Sequence, residues 1–225
     1  MGFFEFKICA NRYLQRDTSG FYTMDFKSMS QGGELHFLHT LKNNQADCAE
    51  SKLDECKNEA RAHIANFLVA YDKIYGNEDN IIVCRVPRSK TFFAESQLYF
   101  QKAVREAISL ANGGINRNFI DGVDYITRIK DVATTHLANS IWAPRKFPHL
   151  VVGDKPYPGI TKDSCDISDR IANQTILLID DIYTLYANVV EDCIQALYDK
   201  GAKRVIFYAL GRTEKSRNTP AIYKD

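Results

Sequence analysis

The chain has 225 residues, 45% hydrophobic and 25% charged, enough apolar side chain for a sizeable core and unlike a disordered or low-complexity chain. Its 29 lysines and arginines nearly balance 28 acidic residues, for a formal charge of +1, so no global field gathers nucleic acid or anionic membrane. No apolar run reaches the roughly 18–20 residues of a membrane helix, and the first residues, MGFFEF, lack a basic segment ahead of an apolar one. The six cysteines (Cys9, Cys48, Cys56, Cys84, Cys165, Cys193) form no C-x-x-C pair and read as reduced thiols, so a cytoplasmic location is expected. His36, His39, Cys48 and Cys56 are too irregularly spaced for a zinc site, and packing accounts for them.

In chain order, residues 1–45 read as a small β-rich or mixed cap, with strands near 3–8, 21–26 and 34–37 separated by glycines. From Asp47 the apolar period changes: Leu53, Cys56, Ala60, Ile64, Phe67 and Tyr71 recur every three or four positions until Gly76, which predicts one long amphipathic helix. Residues 80–86 (NIIVCRV) form a buried-type strand ended by Pro87, and Ala94 to Ala111 marks a second helix closed by Gly113-Gly114. Residues 125–129 predict another strand. Periodicity then disappears until about Asn173, and four of the six prolines lie between Pro144 and Pro158. Loops that long inside a domain are usually functional or disordered, so a mobile active-site loop is expected over about 140–170. The strand TILLI (175–179), a helix over 188–200 stopped by Gly201, and the strand RVIFYAL (204–210) complete the pattern. Strands alternating with helices predict an α/β fold whose parallel sheet is flanked by helices, with 46–225 as the core.

Asp180 and Asp181 follow TILLI, at the carboxyl end of a parallel strand, which is where open α/β sheets bind ligands. The helix starting near Asn188 turns its free N–H groups toward the same place, where they suit a phosphate. Two carboxylates beside an anion cradle fit a sugar phosphate. A Walker-type nucleotidase is excluded by the missing G-x-x-x-x-G-K-[ST] loop, and a dinucleotide site by the missing glycine fingerprint. A receiver domain needs more chain than remains after Asp181. A charged turn with no ligand is the plainer alternative.

The whole stretch 175–213, TILLIDDIYTLYANVVEDCIQALYDKGAKRVIFYALGRT, resembles the phosphoribosyl-pyrophosphate (PRPP) signature of type I phosphoribosyltransferases, and among these the competence-protein-F and amidophosphoribosyltransferase-like type. Looser counterparts are Leu41-Lys42-Asn43 ahead of a long helix, a strand ending in Val86-Pro87, and Arg128-Ile129-Lys130 before a long loop. The resemblance implies the type I phosphoribosyltransferase fold, with residues 1–45 in the place of its hood. It also implies that Asp180 and Asp181 face the ribose hydroxyls and stabilise positive charge at C1. Thr184, Leu185, Tyr186, Ala187 and Asn188 then hold the 5-phosphate, and Arg88, Ser89 and Lys90 the pyrophosphate. Mg²⁺ enters with PRPP and has no direct protein ligand, and Arg128 and Lys130 are candidates to reach over the site as the loop closes. Plain surface charge is the alternative for these basic residues.

The departures from the signature are Leu185, Tyr186 and Asn188, where the family has a Thr, a Gly and a final Thr. No glycine occurs between Gly159 and Gly201. Asn188 retains the ability to cap the helix and to donate through its amide. The leading expectation is transfer of phosphoribose from Mg²⁺-PRPP to a nitrogen nucleophile. The other is an altered member of the fold acting as a regulator or toxin-like effector in a bacterial defence complex. Expected partners are PRPP or a nucleotide and a second copy or another protein, without membrane and without direct nucleic-acid binding.

Overall fold

The structure, a computed structural model, describes residues 2–26, 36–43, 46–75, 80–114, 118–132, 163–184 and 187–213. Its centre is a six-stranded sheet. In chain order the strands are β1 (Phe4–Ile8), β2 (Thr18–Phe26), β3 (Ile81–Arg85), β4 (Phe119–Asp121), β5 (Ile126–Arg128), β6 (Cys165–Ile167), β7 (Thr175–Tyr183) and β8 (Arg204–Thr213). The helices are α1 (His36–Lys42), α2 (Glu50–Tyr75), α3 (Tyr99–Asn112) and α4 (Val189–Asp199). The main sheet runs β1-β2-β8-β7-β3-β4, parallel throughout except for the antiparallel edge pair β1–β2.

The central strands are apolar because helices cover both of their faces. On one side Val83, Leu177, Ile179, Ile206 and Tyr208 pack against α1, α2 and α3. On the other, Ile176, Leu178, Val205 and Phe207 pack against Val190, Cys193, Ile194 and Leu197 of α4. Along α2 the buried positions Leu53, Cys56, Ala60, Ile64, Phe67 and Tyr71 trace a single stripe. Small residues on α3 (Ala103, Ala107, Ala111) let its backbone lie close to the sheet. α4 ends where Gly201 takes φ +93°, a conformation that side-chain-bearing residues rarely adopt. No helix among the described residues is long and apolar enough to cross a membrane.

Several expectations change. The N-terminal strands, expected in a cap of their own, join the main sheet, with β1 at its edge and β2 inside it, because β2 pairs in parallel with β8 from Gly20↔Phe207 to Phe26↔Thr213. Of the strand expected near 34–37, residues 34–35 lie outside the described residues, and 36–37 begin α1, where Phe37, Leu38 and Leu41 share one helical face and are all buried. The strand read at 125–129 is β5, which leaves the main sheet and forms an antiparallel ribbon with β6. β6 lies inside the 140–170 range expected to be loop. Most of it, including residues 144–158, lies outside the described residues.

Candidate functional site

The chain leaves β3 through α3 toward β4 on one side, and leaves β7 through α4 toward β8 on the other, while β3 and β7 are neighbours. Strand order therefore reverses between β3 and β7, and the carboxyl ends of these two strands frame a crevice of the kind that holds ligands in open α/β sheets. The ladder between them ends with Arg85↔Ile179, after which the Val86 N–H donates to the Ile179 carbonyl at 2.9 Å. Pro87 then turns β3 away.

β7 does not end there. Asp180 and Asp181, expected to follow the strand, are residues within it, since the pairing with β8 continues through Ile182↔Gly211 and Tyr183↔Arg212. Past the point where β3 departs, each carboxyl accepts the N–H of the next residue, Asp181 N to Asp180 Oδ1 at 2.9 Å and Ile182 N to Asp181 Oδ1 at 2.8 Å. Both side chains are part-buried at the crevice floor. Burial and the neighbouring Asp181 charge push the Asp180 carboxyl well above the usual carboxylate range.

The cation that answers this pair is Lys42, the last residue of α1, whose Nζ lies 3.0 Å from Asp181 Oδ2. Burial works against the Lys42 ammonium, but Asp181, by charge and hydrogen bond, with Asp180 behind it, outweighs burial and holds its pKa above the ordinary value. Arg88 sets this geometry. Its guanidinium donates to the Gln97 carbonyl (2.8 Å) and to the Lys42 carbonyl (3.0 Å), and it lies 4.2 Å above the Phe93 ring. Asn43 Nδ2 to the Ser96 carbonyl (3.1 Å) and Gln97 Nε2 to the Asn43 carbonyl (3.0 Å) complete the staple between the end of α1 and the loop after β3.

The other predicted residues are distributed around this centre. Ser89 accepts from the Val132 N–H (2.8 Å), and Lys90 pairs with Asp131 (3.0 Å), which also takes both donors of Thr91. These contacts tie the loop after β3 to residues 131–132. Arg128 is buried, with Nε on the Arg88 carbonyl (3.0 Å) and one terminal nitrogen on Ser164 Oγ (2.9 Å), so it joins β5 to the loop after β3 and to the residue ahead of β6. Lys130 is exposed. Thr184 is part-buried, with its carbonyl taken by the Ala187 N–H at 3.2 Å. Asn188 precedes α4 in the left-handed conformation (φ 58°), and its side chain makes no cap. Its Oδ1 accepts from Asn11 Nδ2 (3.4 Å) instead. Leu185 and Tyr186 lie outside the described residues.

Asp180, Asp181 and Arg88 are thus brought to one crevice, and the charge of Arg88 is felt at Asp181. Sequence reasoning assigned no role to two further residues there. Lys42 arrives through tertiary packing of α1, which no spacing signals. Arg85 had a faint signal, a charge closing an otherwise apolar strand. Among the described residues no cluster of three or more His, Cys, Asp or Glu side chains could hold a metal ion. A hydrated Mg²⁺ that keeps most of its waters and leans on ligand phosphates needs only one or two carboxylates, and Asp180 and Asp181 fit that demand. No protein-family model matches this chain, and no curated protein matches it.

Proposed function

We propose that the crevice between β3 and β7 binds Mg²⁺-PRPP, and that the protein transfers phosphoribose to a nitrogen nucleophile. The observation that carries this reading is the acidic pair Asp180–Asp181 at the strand-order reversal, faced by cations from α1 and from the end of β3. Its two carboxyls suit the ribose hydroxyls, and their negative field offsets the positive charge that develops at C1 as pyrophosphate departs. The N-terminal N–H groups of α4 suit the 5-phosphate. Arg88 acts by holding Lys42 and the loop after β3 in place. Bound Mg²⁺ would neutralise the leaving pyrophosphate, with Asp180 and Asp181 holding its water shell.

Binding without transfer, as a regulator or as an effector within a complex, is the second reading. It is favoured by how fully the crevice cations are already engaged: Lys42 on Asp181, Arg88 on two carbonyls and Lys90 on Asp131. Calorimetric titration with Mg²⁺ and PRPP, beside the double variant Asp180→Asn/Asp181→Asn, tests the proposal. Saturable binding that the double variant loses is the expected result. Absence of binding to the unaltered protein overturns it and directs the search to protein partners, and binding without turnover over a panel of amine and base acceptors selects the second reading.

A further inference from the structure

Arg85 closes β3, paired across the ladder with Ile179 and therefore one residue from Asp180. The arginines around it are all engaged. Arg88 donates to two carbonyls, Arg128 to a carbonyl and a hydroxyl, and Arg105 to Asp121 and Asp124. Arg85 differs: its Nε is fully covered and has no hydrogen-bond partner, and among the described residues no ion pair reaches its guanidinium. A covered guanidinium N–H without an acceptor is costly, because it gives up water and receives nothing in return. The charges that bear on it are Asp124, Arg105, Arg88 and Asp180, two of each sign. Burial is the largest influence and depresses its pKa.

We propose that Arg85 is the anchor for a phosphate-type anion of the ligand, reached from the carboxyl-end crevice. The inference rests on the PRPP reading above and deepens it by naming the residue that takes the pyrophosphate group. A guanidinium presents parallel N–H donors in a planar fork that matches two phosphate oxygens at once, and its strength grows where water is scarce. The location agrees with the chemistry. Arg85 stands beside the acidic pair that would face the sugar, on the β3 side, while the N-terminus of α4 on the β7 side is left to the 5-phosphate. One ligand with anionic groups at both ends thus spans the reversal point. Because Nε is fully covered, the anion would be met by the terminal nitrogens of Arg85, which are not fully covered and have no hydrogen-bond partner among the described residues.

The test uses two probes, inorganic pyrophosphate with Mg²⁺ and ribose 5-phosphate, titrated calorimetrically into the full chain and its Arg85→Gln and Arg85→Lys variants. Arg85→Gln is expected to weaken pyrophosphate binding by about 10- to 100-fold, the range for losing hydrogen bonds to a charged group. Arg85→Lys should recover part of that loss by restoring charge without the fork, and ribose 5-phosphate should bind all three proteins alike. Pyrophosphate bound equally by the unaltered protein and both variants overturns the anchor and leaves the PRPP reading standing. Ribose 5-phosphate bound without any pyrophosphate binding also overturns the anchor. Binding of neither probe removes the PRPP reading, and the anchor falls with it. Should Arg85→Gln fail to fold, Arg85→Lys carries the same comparison.

Discussion

The aromatic wall where β2 and β8 meet α2 and the crevice where β3 parts from β7 belong to one sheet, yet they are built on opposite terms. In the wall Phe67 stacks on Tyr208 at 3.9 Å and 5°, Phe3 and Phe21 meet edge to face at 5.6 Å, and Tyr71 lies against Phe21 at 5.8 Å. One of its buried polar groups is paired within the fold, the Tyr208 hydroxyl sharing a 2.6 Å hydrogen bond with Thr23 Oγ1. In the crevice one lysine pairs with Asp181 beside a second carboxyl, Asp180, and a guanidinium nitrogen is covered with no acceptor. The wall contributes stability through area and ring contact, whereas the crevice holds charge at a cost to stability. Sites that bind are commonly drawn from the second kind of region, because groups already satisfied within the fold have nothing to offer a ligand.

Substitutions can break that contrast. The largest effect should come from Phe67→Ala in the wall, which is expected to destabilise by about 3–5 kcal/mol by removing a buried ring. Urea unfolding measures it, and a loss under about 1 kcal/mol would mean that the wall is not the principal store of stability. An intermediate effect is expected at Tyr183, whose hydroxyl donates to Glu191 Oε1 at 2.7 Å in a buried pair. Burial pushes the Glu191 carboxyl up, and its Oε2 has no partner. Tyr183→Phe should cost about 1–3 kcal/mol by removing the Tyr183 hydrogen bond from that buried carboxyl, while Glu191→Gln in the same assay should cost less than Tyr183→Phe.

The smallest effect has the opposite sign. The Asp180 carboxyl has a folded pKa above its unfolded value, so the fold accommodates its protonated form. Its favourable contribution is present below the unfolded carboxylate pKa and is lost as pH rises through the raised folded value. Asp180→Asn should therefore stabilise the protein near neutral pH, on the order of 1 kcal/mol, because it removes a buried charge and its repulsion with Asp181. The gain should fade as the pH is lowered toward the usual carboxylate range. Thermal unfolding across pH reads both features, and a variant less stable at every pH would place Asp180 among the groups that hold the fold together.

The sequence displayed much of the scaffold. TILLI, IIVCR and RVIFYAL are runs of β-branched and apolar residues short enough to be buried parallel strands, and the stripe from Leu53 to Tyr71 permits only a helix. Three-residue strands such as β4 and β6 carried no comparable signal, since so few residues establish no period. α1 was misread because Phe37, Leu38 and Leu41 lie too close together to separate a helical face from strand alternation, and it is contact with α2 that decides between them. The acidic pair was legible by position, as charge at the end of an apolar strand, and its continuation within β7 was not, because that depends on how far β8 accompanies it.

What the residues determined by themselves is local: the periods, the stops at Pro87 and Gly201, and a pair of carboxylates placed at a strand's end. Tertiary structure decided which charges meet. Lys42 and Asp181 are far apart in the chain and lie 3.0 Å apart in space, since Arg88 fastens the end of α1 to the loop after β3. Arg85 has no acceptor because the strand it closes is covered on both faces and the nearby carboxylates Asp121 and Asp124 are taken by Arg105. Pairing of charges across a sheet depends on packing and on competition among many partners, and neither is written in the order of residues along one chain.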